Sequence, residues 1–372
     1  MRTYKHLFPI IISEDNIRTA IHDVYRAHPN NSQMLEIVTH VDDYIPQFIN
    51  LAKHFENSEH TPIQINDGIT RKIRTIIVPD MQEQVIHHMV VNVLKPIIMK
   101  SLYPLSLGSI PGGGCHKGMR AIRHWIKHDP GNVKYCLKMD IQKFFDSIDH
   151  DVLKRFISSK IKDRSTMRLL NTIIDVVDNG LPLGFYTSQW FANWLLSDLD
   201  HYIKEVLKAV HYVRYVDDMV IYGPNKRKLH KMRELISEYL NKLKLTLKSN
   251  YQVFRFEYVD KEDGRTYGRA LDFLGFEFHR DRVILRKNIM MRISRKSIKV
   301  SKKARISLFD CRQILSYNGW LDVTDTHGMY LSRIHPYVSI EECKKMISKH
   351  DRYMARKKNE LQNKVLAYCI GT

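Results

Sequence analysis

Cysteine is scarce in this sequence, and long apolar runs are missing from it. The 372 residues contain five cysteines, and no two of them form a Cys-x-x-Cys pair. An odd number of scattered cysteines argues against a disulfide framework and against a cysteine zinc site. No apolar run approaches the ~20 residues that a membrane helix needs, and the N-terminus does not resemble a secretory signal. We therefore expect a cytoplasmic protein with no membrane partner.

Acidic residues are outnumbered by basic ones. The chain has 40 Asp and Glu against 59 Lys and Arg, which gives a formal net charge of +19. Basic residues occur along the whole chain and are densest after Arg280. This excess predicts a polyanionic partner, with nucleic acid ahead of a membrane surface. The length predicts two or three lobes.

A Walker phosphate loop is also missing. The glycine-rich stretch LSLGSIPGGGCHKG, residues 105–118, has no Gly-Lys-Ser/Thr at a helix start. We interpret it as a flexible loop that opens a helix over 117–127. Contact with a nucleic-acid backbone is an alternative role for this loop.

Two adjacent aspartates lie between apolar, β-prone runs in HYVRYVDDMVIYG, residues 211–223. The pattern predicts a strand, a turn and a strand, with Asp217 and Asp218 at the hairpin tip. Turn chemistry favours Asn-Gly or Asp-Gly there. Both strands are apolar on both faces, so the carboxylates would repel each other and lose hydration unless a cation compensates. A solvated turn that happens to carry acids is the alternative.

A second acidic position follows a predicted strand in YCLKMDIQKFFDSIDHD, where Asp140 ends a strand with one core face. Asp149 is the expected N-cap of a helix that begins near Asp151, and Asp146 is an expected turn residue.

Helices and one short strand surround these motifs. Ser13 is the expected N-cap of the first helix, and Pro29 and Pro46 are expected to interrupt the N-terminal helices. Gly184 is expected where the backbone closely approaches another segment. The predicted helices cover 13–58, 81–99, 117–127, 151–178 and a segment from Ser188, and the strand lies in RKIRTIIVP, residues 71–79. This is an α+β order.

The collinear motifs resemble the palm of reverse transcriptases. LKMDIQKFF resembles the strand with the first catalytic aspartate, LPLGFYTSQWFAN resembles the loop and helix that receive nucleotide and template, and YVDD resembles the catalytic hairpin. LKLTLKSN and LDFLGFEF fit the next two elements, including the primer grip at Leu274 and Gly275. The likeness extends from Arg71 to Arg286.

The resemblance implies a right-hand polymerase fold of class α+β. It comprises fingers, palm and thumb, with an antiparallel palm sheet and helical N- and C-terminal portions. The thumb would clamp the primer–template duplex through phosphate contacts. No nuclease, RNase H or maturase domain fits the remaining length, so we expect a small polymerase with separate partners. The implied regions are an N-terminal helical region (1–60), fingers (61–134), a palm (135–280) with an interleaved fingers segment (about 150–185), and a basic helical thumb (281–372).

The implied chemistry is nucleotidyl transfer with two magnesium ions, which manganese can replace. Magnesium prefers oxygen ligands, and carboxylates on neighbouring strands can bridge an ion pair. By resemblance, Asp140 and Asp217 coordinate the metals with the backbone of Ile141, and Asp218 assists. The implied partners are an RNA template, a DNA or RNA primer, dNTPs, and an accessory protein or noncoding RNA.

The resemblance also implies a set of nucleotide-binding residues. Phe145 would reject a 2′-hydroxyl, with a core aromatic as the alternative. The basic pair in the 71–79 strand would grip the triphosphate, with a solvated charge run as the alternative, and Lys248 would donate a proton to pyrophosphate. The implied set is Lys72, Arg74, Lys143, Phe144, Phe145, Leu183, Gly184, Gln189 and Lys248.

The LPLGFYTSQ segment differs from the motif of many reverse transcriptases, and the difference points to one branch of the family. Leu183 replaces the glutamine of the common Pro-Gln-Gly motif, and Ser188-Gln189 replaces Ser-Pro. This form resembles diversity-generating retroelement enzymes and some antiphage defence reverse transcriptases, and loss of the amide suggests reduced fidelity. We expect an RNA-directed DNA polymerase of the first kind. The alternatives are a defence enzyme with a dedicated noncoding RNA and a non-catalytic nucleic-acid-binding protein with a polymerase-like palm.

Overall fold

The computed structural model describes residues 3–66 and 73–370, with side chains described as far as Arg356. The chain divides into two compact units, Met1–Phe256 and Glu257–Thr372. No helix in the described ranges has both the length and the apolar character of a membrane span.

Four helices begin the first unit. Ser13 is the N-cap residue of the second, as predicted, and that helix ends before Pro29. Pro46 lies inside the fourth helix, so the expected interruption there is wrong. Proline removes one backbone hydrogen bond, but the buried side chains of Ile45 and Phe48 hold this helix on the core. The helices are α1 (Phe8–Ile11), α2 (Glu14–Ala27), α3 (Ser32–Thr39) and α4 (Val41–Lys53).

An exposed hairpin and two helices follow. Strands β1 (Ile63–Asn66) and β2 (Ile73–Ile76) pair antiparallel. Helix α5 (Met81–Ser101) follows its N-cap residue Asp80, whose side chain accepts a hydrogen bond from the Glu83 amide. Helix α6 (Cys115–His128) begins directly after Gly114, so the last four residues of the 105–118 stretch are helical.

A four-stranded antiparallel sheet forms the centre of the first unit. Its spatial order is β4-β5-β3-β6. Met139 at the end of β3 pairs with Met219 near the start of β5, so the residues just beyond them lie at one edge of the sheet. The strands are β3 (Tyr135–Met139), β4 (His211–Tyr215), β5 (Asp218–Gly223) and β6 (Gln252–Arg255).

Five helices complete the first unit. The prediction of one helix over 151–178 is wrong, because the chain leaves the helix at Ile161 and Asp163 caps a new one. Asp149 caps the first of these two by accepting a hydrogen bond from the Val152 amide, as predicted. The helices are α7 (His150–Lys160), α8 (Arg164–Ile174), α9 (Tyr186–Leu195), α10 (Ser197–His201) and α11 (Lys226–Lys242).

The second unit combines short strands with four helices. Its three-stranded sheet has the order β11-β10-β9. Buried Asp310 binds Lys296 and Lys303 at 2.9 and 2.6 Å, which ties two helices together. The elements are β7 (Tyr258–Val259), β8 (Thr266–Tyr267), β9 (Leu271–Phe273), β10 (Phe276–Phe278), β11 (Val283–Leu285), α12 (Lys287–Ser301), α13 (Leu308–Leu321), α14 (His327–Arg333) and α15 (Ile340–Ile370).

Candidate active site

The β4–β5 turn carries the first aspartate of the pair. Tyr215 pairs with Asp218, so the two loop residues are Val216 and Asp217. The expectation that both aspartates form the tip is therefore corrected, because Asp218 is already the first residue of β5. Val216 has a φ of 57°, which is costly for a β-branched residue. The turn is thus held in a conformation that its sequence does not favour.

The sheet register brings Asp140 next to this turn. Asp140 directly follows β3, and its carboxyl is close enough to that of Asp217 to form a hydrogen bond when one of them is protonated. Its Oδ2 accepts a hydrogen bond from the Lys248 ammonium. Its Oδ1 is buried and receives no hydrogen bond from an N–H or O–H donor among the described residues. Two carboxyl groups from separate stretches of chain therefore meet beside one ammonium.

Burial and like charge perturb these groups. Burial, followed by the charges of Asp140 and Asp218, raises the pKa of Asp217 to about 7. Burial lowers the pKa of Lys248, but its hydrogen bond to Asp140 and the charge of that carboxylate raise it overall. The site thus favours a retained proton or a compensating cation.

The donor set suits a hard divalent cation. In the part of the chain that the structure describes, no three or more His, Cys, Asp or Glu side chains are grouped closely enough to hold a metal ion by themselves. Two carboxylates and a carbonyl nevertheless fit magnesium, which completes its shell with waters and substrate phosphates. The bridge between Ile141 and Leu247 uses the Asp140 carbonyl and the Gln142 amide, so it leaves the Ile141 carbonyl unused. The Oδ1 atom of Asp140, which is buried and accepts no hydrogen bond from the described residues, is also suited to bind a metal ion.

The chain turns sharply after Ile141. Lys143 has a φ of 45°, and Phe144 is buried in the core. Phe145 is half-buried at the start of a 3₁₀ turn, with its ring 5.4 Å from that of Phe144. Its carbonyl accepts a hydrogen bond from the Leu181 amide. Phe145 therefore combines partial core packing with an accessible side.

The 183–189 segment approaches the end of β2, as expected for Gly184. A Cβ at Gly184 would lie 1.8 Å from the Ile77 carbonyl oxygen, so only glycine fits. Leu183 is half-buried, and Gln189 Oε1 is buried without a hydrogen-bond partner among the described side chains. Arg74 lies exposed in β2, whereas Lys72 falls outside the described residues.

The predicted primer-grip residues form a turn in the second unit. Leu274 and Gly275 connect β9 and β10, with φ values of 56° and 86°. Positive φ at both positions is the pattern of a type I′ hairpin. A Cβ at Gly275 would lie 2.9 Å from Ile289 and 3.0 Å from Trp320.

Sequence reasoning missed two buried charged residues next to the turn. Arg214 lies in β4 and Asp200 in α10, and both side chains are fully buried and paired at 2.7 Å. The available signal was an arginine in the middle of an otherwise apolar, buried strand, since charges are rarely buried unless paired.

Comparisons with known proteins agree with these motifs. The family model described as reverse transcriptase (RNA-dependent DNA polymerase) matches residues 63–278. The group II intron-encoded protein LtrA of Lactococcus lactis is 27% identical over 184 residues, which is 47% of this chain and 29% of that protein. The retron Ec73 reverse transcriptase of Escherichia coli is 30% identical over 109 residues, 26% of this chain and 34% of its own length. The matches thus span about a third of these curated relatives.

Among solved structures, apo telomerase from Candida tropicalis aligns with a TM-score of 0.47 and 14% identity, over 74% of this chain and 58% of that one. The family model covers more than half of the sequence, from the exposed β1–β2 hairpin to β10. This chain therefore belongs to the reverse transcriptase family, with its right-hand polymerase fold.

Proposed function

We propose that this chain is an RNA-directed DNA polymerase that extends a DNA or RNA primer with dNTPs on an RNA template. The observation that carries the proposal is the meeting of Asp140, directly after β3, and Asp217, in the β4–β5 turn, beside Lys248. Membership of the reverse transcriptase family supports the same activity.

We assign the metal-binding role to Asp140, Asp217 and the carbonyl of Ile141, with Asp218 assisting from β5. Two magnesium ions, or manganese in their place, activate the primer 3′-hydroxyl and neutralise the triphosphate when bound. Lys248 is protonated, because its pKa is raised, and we assign it the role of proton donor to the departing pyrophosphate.

We assign nucleotide binding to residues on both sides of this site. The backbone around Ile141 to Phe144 would hold triphosphate oxygens, and Phe145 would pack against the sugar. Lys72 and Arg74 would pair with the triphosphate from the β1–β2 hairpin. Lys143, Phe144, Leu183, Gly184 and Gln189 would complete the nucleotide site, and Leu274 and Gly275 would contact the primer.

Primer extension on an RNA template with magnesium tests the proposal. We expect extension by the parent chain and its loss in Asp217→Asn. The control is Asp178→Asn, because Asp178 is an exposed acid outside the site. No extension by the parent, or equal extension by Asp217→Asn, would overturn the polymerase assignment and favour a non-catalytic nucleic-acid-binding protein.

Within the family, we propose a diversity-generating or related retroelement enzyme of reduced fidelity, because Leu183 and Gln189 replace the common residues of that loop. An antiphage defence enzyme with a dedicated noncoding RNA is the second candidate, favoured by the same residues. A variable-gene repeat pair in the genomic neighbourhood would indicate the first, and a defence island the second. Sequencing the co-purified nucleic acid would identify the template and any noncoding partner.

The fidelity proposal has its own test. We expect Leu183→Gln to lower the misincorporation rate, because the glutamine amide restores a polar contact to the nucleotide. The control is Asp178→Asn, because Asp178 is exposed. Leu181→Gln would be unsuitable, because Leu181 is buried. Equal error rates in Leu183→Gln and the parent, scored opposite template adenine, would contradict the proposal.

A further inference from the structure

The fully buried ion pair of Arg214 and Asp200 lies beneath the candidate catalytic turn. Both side chains have 0% exposure, and they meet in a bidentate contact at 2.7 Å for each hydrogen bond. A buried ion pair contributes little net stability compared with well-packed apolar residues. Its presence two residues before the turn therefore calls for a role other than stability.

Every N–H of the Arg214 guanidinium has an acceptor. An arginine side chain carries five N–H donors, and this one makes five hydrogen bonds. Two go to Asp200, and the remaining three leave the ion pair for other segments. These three acceptors are Asn193 Oδ1 at 3.1 Å, Ser106 Oγ at 3.2 Å and the Val216 carbonyl at 2.8 Å.

The bond to Val216 reaches the turn itself. Val216 carries the unfavourable φ of 57°, and its carbonyl belongs to the peptide unit that leads into Asp217. Gly108 packs against the same residue, since a Cβ there would lie 2.3 Å from Val216 Cγ2. The turn is thus held by a hydrogen bond and by close packing.

The other end of the network is rigid. Asp200 also accepts hydrogen bonds from Tyr212 and Ser106 at 2.6 Å. Asn193 donates to the carbonyls of Gly108 and Gln189, which joins α9 to the same cluster. Backbone bonds between Arg214 and residues 105–107 close the edge of β4. The guanidinium is therefore held by hydrogen bonds in all directions, and its bond to Val216 can hold the turn in place.

We propose that Arg214, anchored on Asp200, is a positioning residue that fixes the Val216 carbonyl and thereby aims the Asp217 carboxylate at Asp140. The inference rests on the proposed metal-binding role of Asp217. A fixed turn presents the carboxylate without the need to order it for each cation or substrate. Loss of the network should therefore weaken metal binding and turnover more than it weakens dNTP binding.

The test replaces the pair by apolar residues of similar size, in Arg214→Met/Asp200→Leu. Because the replacement also removes the hydrogen-bond partners of Tyr212, Ser106 and Asn193, we expect a Tm below that of the parent, and the folded state is verified before kcat is measured. We expect kcat to fall at least about tenfold with little change in KM for dNTP. Mn²⁺ titrated alone into the protein and followed by electron paramagnetic resonance should bind several-fold more weakly than to the parent.

Two further variants keep the test decisive. The control is Lys160→Met/Asp198→Leu, which removes an ion pair between the same helix α10 and α7 in which Asp198 is 39% exposed, and we expect parental kcat and Mn²⁺ affinity. Arg214→Lys keeps the charge beside Asp200 but cannot supply the five-donor fork, so we expect the loss of kcat even if the double variant fails to fold.

Parental kcat and parental Mn²⁺ affinity in folded Arg214→Lys or in the folded double variant would overturn the positioning role. So would an equal loss in the Lys160→Met/Asp198→Leu control. Failure of the proposed function is recognised separately, because the parent would then show neither extension nor Mn²⁺ binding that depends on Asp217.

Discussion

Burial has the largest effect on the acidity of Asp217, and the neighbouring carboxylates Asp140 and Asp218 add to it. A carboxylic acid that titrates near pH 7 is a common property of catalytic sites. Here the perturbation comes from a half-buried turn next to the end of β3, so it depends on the sheet register as well as on the residue type. The repulsion between these buried carboxylates lowers the stability of the fold, and it also favours the binding of a cation.

In a chelating buffer, the stability of the protein should depend on pH through Asp217. Because the folded pKa of Asp217, about 7, lies above the unfolded value, its contribution to stability is complete below the unfolded pKa and is lost as pH rises to about 7. We expect Asp217→Asn to be more stable than the parent at pH 8, with the difference shrinking toward pH 5. Urea unfolding across this range measures it.

The matching control for that experiment is Asp178→Asn, which removes one exposed acid. Its difference from the parent should be small and nearly independent of pH. A constant stability difference between Asp217→Asn and the parent from pH 5 to pH 8 would contradict a raised pKa at Asp217.

Phe145 is the residue that we propose discriminates between deoxyribonucleotides and ribonucleotides. In its proposed role the Phe145 ring fills the space next to the 2′ position, so Phe145→Ala should relax discrimination against ribonucleotides by about tenfold or more. The ratio of kcat/KM for dNTP and rNTP measures this. Phe144→Ala is the comparison: its ring is buried, so we expect a loss of ~3–5 kcal/mol in stability and no relaxed selection. Unchanged selection in Phe145→Ala would make that residue a core aromatic only.

At the scale of elements, the site depends on close contacts between segments far apart in sequence. The loop before α9 touches the segment after β2 through Gly184 and Ile77, and the loop after α5 touches the β4–β5 turn through Gly108 and Val216. Both contacts involve backbone atoms, which cannot move aside as a side chain can. Each glycine therefore sets the separation of two elements.

Gly184→Ala tests this arrangement. The added Cβ would lie 1.8 Å from the Ile77 carbonyl oxygen, so the two segments must separate, and we expect a loss of ~1–3 kcal/mol in the free energy of unfolding. Gly131→Ala is the matched control, because its nearest neighbour would be a side-chain oxygen at 4.0 Å, and we expect a change within about 0.5 kcal/mol. Equal unfolding free energies for the two variants would contradict the close approach.

At the scale of the whole molecule, the formal charge of +19 would dominate binding of the proposed primer–template duplex. Contacts between basic side chains and phosphates release counterions, so affinity for a primer–template duplex should fall steeply with salt. For six to ten phosphate contacts, we expect a loss of ~10³–10⁵ in affinity between 50 and 200 mM salt. Fluorescence anisotropy with a labelled duplex measures this slope. An affinity that changes less than about tenfold over that range would contradict a phosphate-clamping role for the basic residues.

Several features of the fold followed from local sequence. Asp149 caps α7 because an aspartate before an apolar helical pattern accepts a backbone N–H regardless of distant contacts. The buried β4–β5 ribbon followed from its apolar residues on both faces. By contrast, Pro46 remained inside α4 because packing of its neighbours outweighs one lost hydrogen bond, which no local pattern records.

Three properties can be seen in the chain without its fold: acids follow two β-prone runs, basic residues are in excess, and the motifs are those of a reverse transcriptase. These properties depend on residue type and order alone. The fold was needed to establish that Asp217 rather than Asp218 occupies the turn, that Lys248 pairs with Asp140, and that Arg214 contacts Val216. Strand register and burial depend on contacts between segments that are far apart in sequence. Lys248 and Asp140, for example, are more than a hundred residues apart, and contacts at such separations leave no periodic pattern in the sequence.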